Sequence, residues 1–189
     1  MAVTGPAEKN ENVWLLVALW IAHYAHRAII FPLRIHTKGK KMPLVIMLSA
    51  IVFNIINGFL NGYFVGYLYQ PENPVSIFDL NILFGLILFI SGAIINNMAD
   101  TKLIALRKGN NEYQVPKGWL FEYISCPNHF GEIIEWIGFA LVAWNLPALS
   151  FAVWTCCNLI PRALNHHQWY SENFQEYPSQ RKAVIPFVW

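Results

Sequence analysis

Polar residues recur at helical spacing inside or beside apolar stretches of this chain, and their types are those that bind or transform ligands. In "NHFGEIIEWIGFALVAW", residues 128 to 144, Asn128, Glu132 and Glu135 follow at i, i+4 and i+7 ahead of a run rich in aromatic and aliphatic side chains. Asn96, Asp100 and Arg107 form a second stripe, Arg162, His166 and Tyr170 a third, and Asn54, Asn57 and Asn61 a fourth. Such spacing puts side chains on one face of a helix. A carboxylate in a low-dielectric setting is costly unless it is paired, hydrogen-bonded or protonated, so something must meet Glu132 and Glu135. Arginines, paired carboxylates, amides and a histidine together suit a large polar ligand that carries phosphates and an amide. The plainer alternative is that the two glutamates pair with Arg162 or Arg107 only to hold helices together.

Other chemistries fit less well. "HYAH" at 23 to 26 and "NHH" at 165 to 167 could supply imidazoles to iron or zinc, but six scattered histidines cannot form the repeated boxes of a membrane di-iron enzyme. No Asp or Glu stands at ligand spacing from His23 and His26, so no metal is expected, and His36 and His129 read as interfacial side chains. Cys126, Cys156 and Cys157 form no CxxC and no paired framework, and read as packing thiols. A net charge of +2 without a basic face excludes a nucleic-acid partner.

Elements that could position the stripes follow from composition. At 56% hydrophobic, 13% charged and a mean hydropathy of +0.36, the chain lies outside soluble averages. Five segments compete to span a bilayer, which takes about 20 apolar residues: 13–31, 43–69, 80–98, 132–144 and 146–160, the last two joined as a hairpin at Asn145 and Pro147. The expectation is an all-α integral membrane helical bundle of one domain, residues 1–189, behind a polar segment 1–12 that lacks the marks of a cleaved signal. Lys and Arg mark cytoplasmic loops, and 11 of the 13 fall in the links after the first and third segments and in the tail. That sets the C-terminus in the cytoplasm and brings the stripes at 96–107, 128–135 and 162–170 to one cytosol-facing pocket. Gly58, Gly62 and Gly66 let a second helix approach closely, read as packing within a monomer rather than as a dimer face.

"HYAHR" from 23, the Asn and Asp of "NNMAD", "LRKG", "FGEIIEWIGFALVAW", "RALNHHQWY" and "YPSQRKAVIPFVW" together resemble the steroid 5α-reductase family of membrane NADPH-dependent reductases, 3-oxo-5α-steroid 4-dehydrogenases. The resemblance implies that Asn96, Asp100, Arg107, Asn128, Glu132, Arg162, His166 and Tyr170 contact NADPH, and that Tyr24 hydrogen-bonds the 3-carbonyl of a lipophilic steroid drawn from the bilayer. It implies an endoplasmic reticulum membrane in a eukaryote or an inner membrane in a bacterium. Relatives usually have two more helices, seven in all, and the second contributes a Gln-Glu pair that works with the tyrosine. Glu11 lies outside the apolar run and does not take that role, and Gln114 stands where relatives tend to have Arg or Lys. Rival readings are a reductase of an enoyl thioester or sterol alkene, a membrane methyltransferase using S-adenosylmethionine, and an inactive cofactor-binding membrane protein.

Overall fold

The computed structural model describes residues 1–7, 9–35, 42–69, 76–109 and 113–188, without the side chains of 108 and 109. His36, Lys38, Lys40, Lys41, Glu8, Glu72 and the side chain of Lys108, which entered the reading of topology or site, lie outside that set. Among the described residues the chain is all-helical, with a single isolated bridge between Ile124 and Lys182. Helix α1 (Glu11–Ala25) continues through a π-helical stretch, His26–Ile30, into α2 (Phe31–Arg34). α3 (Leu44–Tyr63) ends in a second π-helical stretch, Phe64–Leu68. α4 (Leu80–Gly109) is followed by a 3-10 turn, Trp119–Glu122, and then by α5 (Pro127–Ala143) and α6 (Leu146–Asn173).

Glu11–Arg34, Leu44–Leu68 and Leu80–Arg107 are long and apolar enough to cross a membrane. The expected hairpin forms as α5 and α6, joined at Trp144 and Asn145. Trp144 takes a left-handed φ of 46°, which ends α5, and Asn145 Oδ1 accepts from Ala148 N at 2.9 Å to cap α6. Asn10 caps α1 in the same way, accepting from Val13 N at 3.0 Å. Several helices outrun their apolar segments. α4 extends to Gly109, α6 to Asn173, and α5 starts at Pro127, a turn ahead of its apolar run. Residues such as Lys102, Arg107 and Gln168 sustain a helix once water replaces lipid, because the backbone satisfies its own hydrogen bonds in either medium.

The chain forms two compact units, Met1–Gly85 with Phe139–Phe151, and Leu86–Gly138 with Ala152–Trp189. Because lipid is as apolar as leucine, helices in a bilayer associate through close packing and hydrogen bonds rather than hydrophobic burial. The first unit uses both. Asn12 Nδ2 donates to Tyr69 OH at 2.8 Å, a buried clamp that makes α1 antiparallel to α3. Gly66 lets the N-terminal segment lie against α3: a Cβ there would overlap the Met1 carbonyl, and Ala7 N donates to Gly66 O at 2.9 Å. In the second unit, α4 and α5 touch backbone to backbone at Gly92 and Gly131, where an added Cβ on Gly131 would stand 2.5 Å from Asn96 N. Cys126, Ile133, Leu159, Ala163 and Val184 make a core that joins α5, α6 and the C-terminal segment.

Candidate functional site

The glycine contact of the second unit sets the spacing of the first two stripes. With α4 and α5 this close, Asn96 Nδ2 donates to Asn128 O at 3.2 Å and to Glu132 Oε2 at 3.4 Å, and Asn128 Nδ2 donates to Asp100 Oδ1 at 3.2 Å. Asn96 and Asp100 are buried, Asp100 to 4% exposure, while Asn128 and Glu132 are partly accessible. Glu135 is buried with its backbone against Gly92. The amides thus stand between two carboxylates and donate to one oxygen of each, as groups at this depth need partners.

The third stripe lies on α6 and faces the polar end of α4. Burial, and then the cations of Arg107 and Arg162, hold the His166 imidazole below its ordinary range, so it is neutral near pH 7. The His129 ring lies 6.0 Å from that of His166. Burial is also the largest cause that pushes the Tyr170 hydroxyl up to about 12, so it stays a neutral donor. Arg107 sits over the Tyr113 ring at 6.0 Å, and Tyr113 meets Trp169 edge-on. Arg107, Arg162 and His166 are exposed enough to meet a ligand from water. Asn96, Asp100, Arg107, Asn128, Glu132, Arg162, His166 and Tyr170 therefore all belong to the second unit. The hydrogen bonds join those on α4 and α5, and Arg107 joins α4 to α6.

Tyr24 belongs to the first unit, half-buried on α1, with its ring 5.1 Å from Trp20 and 5.2 Å from His23. Trp20 in turn meets Phe139 and Phe151, and Phe151 meets Phe53. Trp20 also walls a cavity of about 410 Å³ between α1 and α3, apolar except for Asn61 and lined also by the N-terminal Met1 and Ala2. The asparagine stripe of α3 is shorter than its spacing implies. Asn57 and Asn61 are buried, but Asn54 is exposed and donates to Ala50 O on its own helix at 2.8 Å. A shared helix face is buried only where a neighbour covers it.

Two features escape the stripes. His129, read as an interfacial side chain, packs on His166, and only folding places α5 beside α6. Arg181, counted as a tail charge, is 2% exposed, donates from Nη1 to Pro116 O at 3.2 Å and lies 5.1 Å from the centre of the Tyr177 ring. Beside it, buried Ser125 Oγ bonds His167 Nδ1 at 2.7 Å, Tyr177 OH at 2.5 Å and Lys182 O at 3.0 Å, docking the C-terminal segment. The clue in the sequence is that Arg181 sits among Tyr177, Pro178 and the apolar "AVIPF" rather than in a charged tail.

Comparison with known proteins agrees with this architecture. Residues 40–189 match the family described as 3-oxo-5-alpha-steroid 4-dehydrogenase. The chain is 40% identical over 183 residues to steroid 5-alpha-reductase DET2 of Solanum lycopersicum, covering 95% of this chain and 71% of that protein. It is 43% identical over 188 residues to 3-oxo-5-alpha-steroid 4-dehydrogenase 1 of Bos taurus, covering 97% and 72%. With 3-oxo-5-alpha-steroid 4-dehydrogenase 2 of Rattus norvegicus the identity is 45% over 176 residues, covering 92% and 68%. A chain that is all-helical among its described residues, with three membrane-length apolar helices there, and that is matched over most of its length by these enzymes, belongs to the 3-oxo-5-alpha-steroid 4-dehydrogenase family of membrane oxidoreductases.

Proposed function

We propose that this chain reduces the carbon–carbon double bond of a 4-ene-3-oxo steroid to the 5α-reduced 3-oxo steroid, using NADPH bound from the cytosol and a substrate taken from the bilayer. The observation that carries the reading is the hydrogen-bonded ladder Asn96, Asn128, Asp100 and Glu132 beside Arg107, Arg162 and His166, in a chain of this family. The groups fit the cofactor: carboxylates and amides suit hydroxyls and a carboxamide, and two guanidiniums with a neutral imidazole suit phosphates. Bound NADPH supplies a hydride. The chain's own part is to hold the substrate and to stabilise the charge that develops. As the β-carbon is reduced, negative charge gathers on the carbonyl oxygen as an enolate. The Tyr24 hydroxyl donates to that oxygen more strongly than to the neutral ketone, which lowers the barrier. The α-carbon then takes a proton. The membrane would be the endoplasmic reticulum in a eukaryote or the inner membrane in a bacterium.

The test is NADPH consumption by the detergent-purified chain with a 4-ene-3-oxo steroid, with identification of the product. The 5α-reduced ketone is expected. Arg162→Ala and Asp100→Ala should each weaken NADPH binding at least about tenfold, the loss expected for one charged hydrogen bond, while the protein stays inserted. Parent-like NADPH binding by both variants, or thermal stabilisation by S-adenosylmethionine and not by NADPH, would sink the assignment.

A further inference from the structure

The cavity between α1 and α3 belongs wholly to the first unit. Trp20, Phe59 and Phe139 give it aromatic walls, and Gly58 and Gly62 leave room beside them. Its volume of about 410 Å³ falls within the roughly 300–1,000 Å³ of small-molecule pockets. On α3 the wall runs from residue 58 to 65, about 10 Å at the helical rise. The acyl chains of one leaflet span about 15 Å, half the hydrocarbon thickness, so the cavity suits a compact ring system better than an extended lipid tail. Val65 also lies in the π-helical stretch Phe64–Leu68, and such wide turns are frequent at functional sites.

Asn61 is the polar side chain of this wall, and its two ends are in different states. Its Nδ2 donates to the main-chain oxygen of Asn57 at 3.1 Å and to Asn57 Oδ1 at 3.0 Å. A main-chain oxygen accepts only from an N–H, which fixes which end of the Asn61 amide is nitrogen. Both N–H groups are thereby used, turned back one helical turn to Asn57, which is not part of the wall. Asn57 Nδ2 is sealed in the packing without a partner among the described residues. Asn61 Oδ1 keeps accessible surface, accepts no hydrogen bond among the described residues, and is the polar atom that Asn61 has left to offer the cavity it lines. Buried carbonyl oxygens are usually satisfied, and hydrocarbon supplies no water to do it. We propose that this cavity binds the hydroxyl end of a compact lipophilic alcohol, with Asn61 Oδ1 accepting from that hydroxyl. An acceptor in an apolar wall selects a hydroxyl over a ketone or an ether, neither of which has a proton to give. Two sources share this chemistry, a bilayer sterol and a steroid that carries a hydroxyl on its ring system. The site goes beyond the reductase reading and does not depend on it, because binding is read without turnover.

The experiment places the full chain and its Asn61→Leu and Gly58→Leu variants in nanodiscs of sterol-free phospholipid. Equilibrium binding is measured for cholesterol and for a 17-hydroxy steroid, each beside its methyl ether, which keeps the oxygen and the ring system but has no proton to donate. The parent should bind at least one alcohol about tenfold more tightly than its ether, the worth of one hydrogen bond. A preference in the cholesterol pair assigns the cavity to a bilayer sterol, and one in the steroid pair assigns it to a hydroxylated steroid. Asn61→Leu should bind alcohol and ether alike. A Cβ at Gly58 meets nothing within 4 Å, so a leucine there has room to enter the cavity and should weaken both members of the pair about tenfold or more while leaving the fold intact. A parent that binds alcohol and ether equally, as a cavity open to any apolar tail would, overturns the proposal without recourse to a variant. So does an Asn61→Leu chain that keeps the parent's preference, or a Gly58→Leu chain that binds the alcohol as the parent does. Each of these results leaves the reductase reading standing, and failure of enone reduction would leave the binding site standing.

Discussion

Single side chains in this protein are tuned by neighbours that lie far off in sequence. Burial, and then nearby cations, lower the affinity of both His166 and His167 for a proton, with Arg107 and Arg162 acting on the first and Arg181 and Lys182 on the second. Below their usual value of 6.5 the unfolded chain therefore binds more protons than the folded one. Stability from these groups is present above pH 6.5 and is lost as pH falls through the lowered values. Thermal midpoints in detergent between pH 7.5 and 5 should drop, and the His166→Asn variant should show a shallower drop; an unchanged slope would mean that His166 does not contribute. Tyr24→Phe should lower turnover about a hundredfold with NADPH affinity unchanged, and an unaltered rate would remove Tyr24 from the reaction. The pairing of Asn, Asp and Glu across the site was legible in residue type and spacing, because a membrane segment tolerates such groups only when they meet partners. That the Asn57 amide is left over was not legible, since it depends on which way Asn61 turns.

Helices here are spaced by what they lack as much as by what they carry. Gly92 and Gly131 bring α4 and α5 into backbone contact, and the Asn96–Asn128 and Asn128–Asp100 bonds span that narrow gap. Gly131→Ala must push the helices apart, because the two nearest atoms its Cβ meets, Asn96 N and Gly92 O, are backbone. It should cost about 1–3 kcal/mol and weaken NADPH binding as well, so thermal unfolding and cofactor titration of one variant check both. A variant with normal stability and affinity would show that the spacing is not what positions the ladder. Helix existence and approximate bounds were readable from apolar runs and from Asn10, Asn145 and Pro147. The polar extensions of α4 and α6 were not, because outside the apolar window the sequence no longer marks a helix face. Arg181 illustrates the same limit: a charge that counts as cytoplasmic tail by sequence is the buried peg of the C-terminal segment. Arg181→Ala leaves the Pro116 carbonyl without its donor and should lower stability by about 2 kcal/mol or more, measurable as a fall in the thermal midpoint.

At the scale of the whole chain, lipid decides which surfaces are bare. α3 exposes Val45, Ile46, Ile55 and Ile56, as an element facing hydrocarbon does, and buries a narrow strip that includes Asn57 and Asn61. Cys157 is exposed on the apolar part of α6, whereas burial pushes the Cys126 thiol up to about 12. A lipid-soluble maleimide should therefore label Cys157 in the native protein and reach Cys126 only after denaturation; early labelling of Cys126 would contradict the core that joins α5, α6 and the C-terminal segment. The sequence by itself determined the all-helical membrane class, the family and the polar stripes, because periodicity, hydropathy and motif order are properties of the chain read in a line. Only the tertiary structure decided that glycine contacts set the spacing of α4 and α5, that His129 joins His166, that Asn54 drops out of its stripe and that Asn57 keeps an unused donor. Each of those depends on which neighbour covers a face, and a neighbour is fixed by packing in three dimensions rather than by position along the chain.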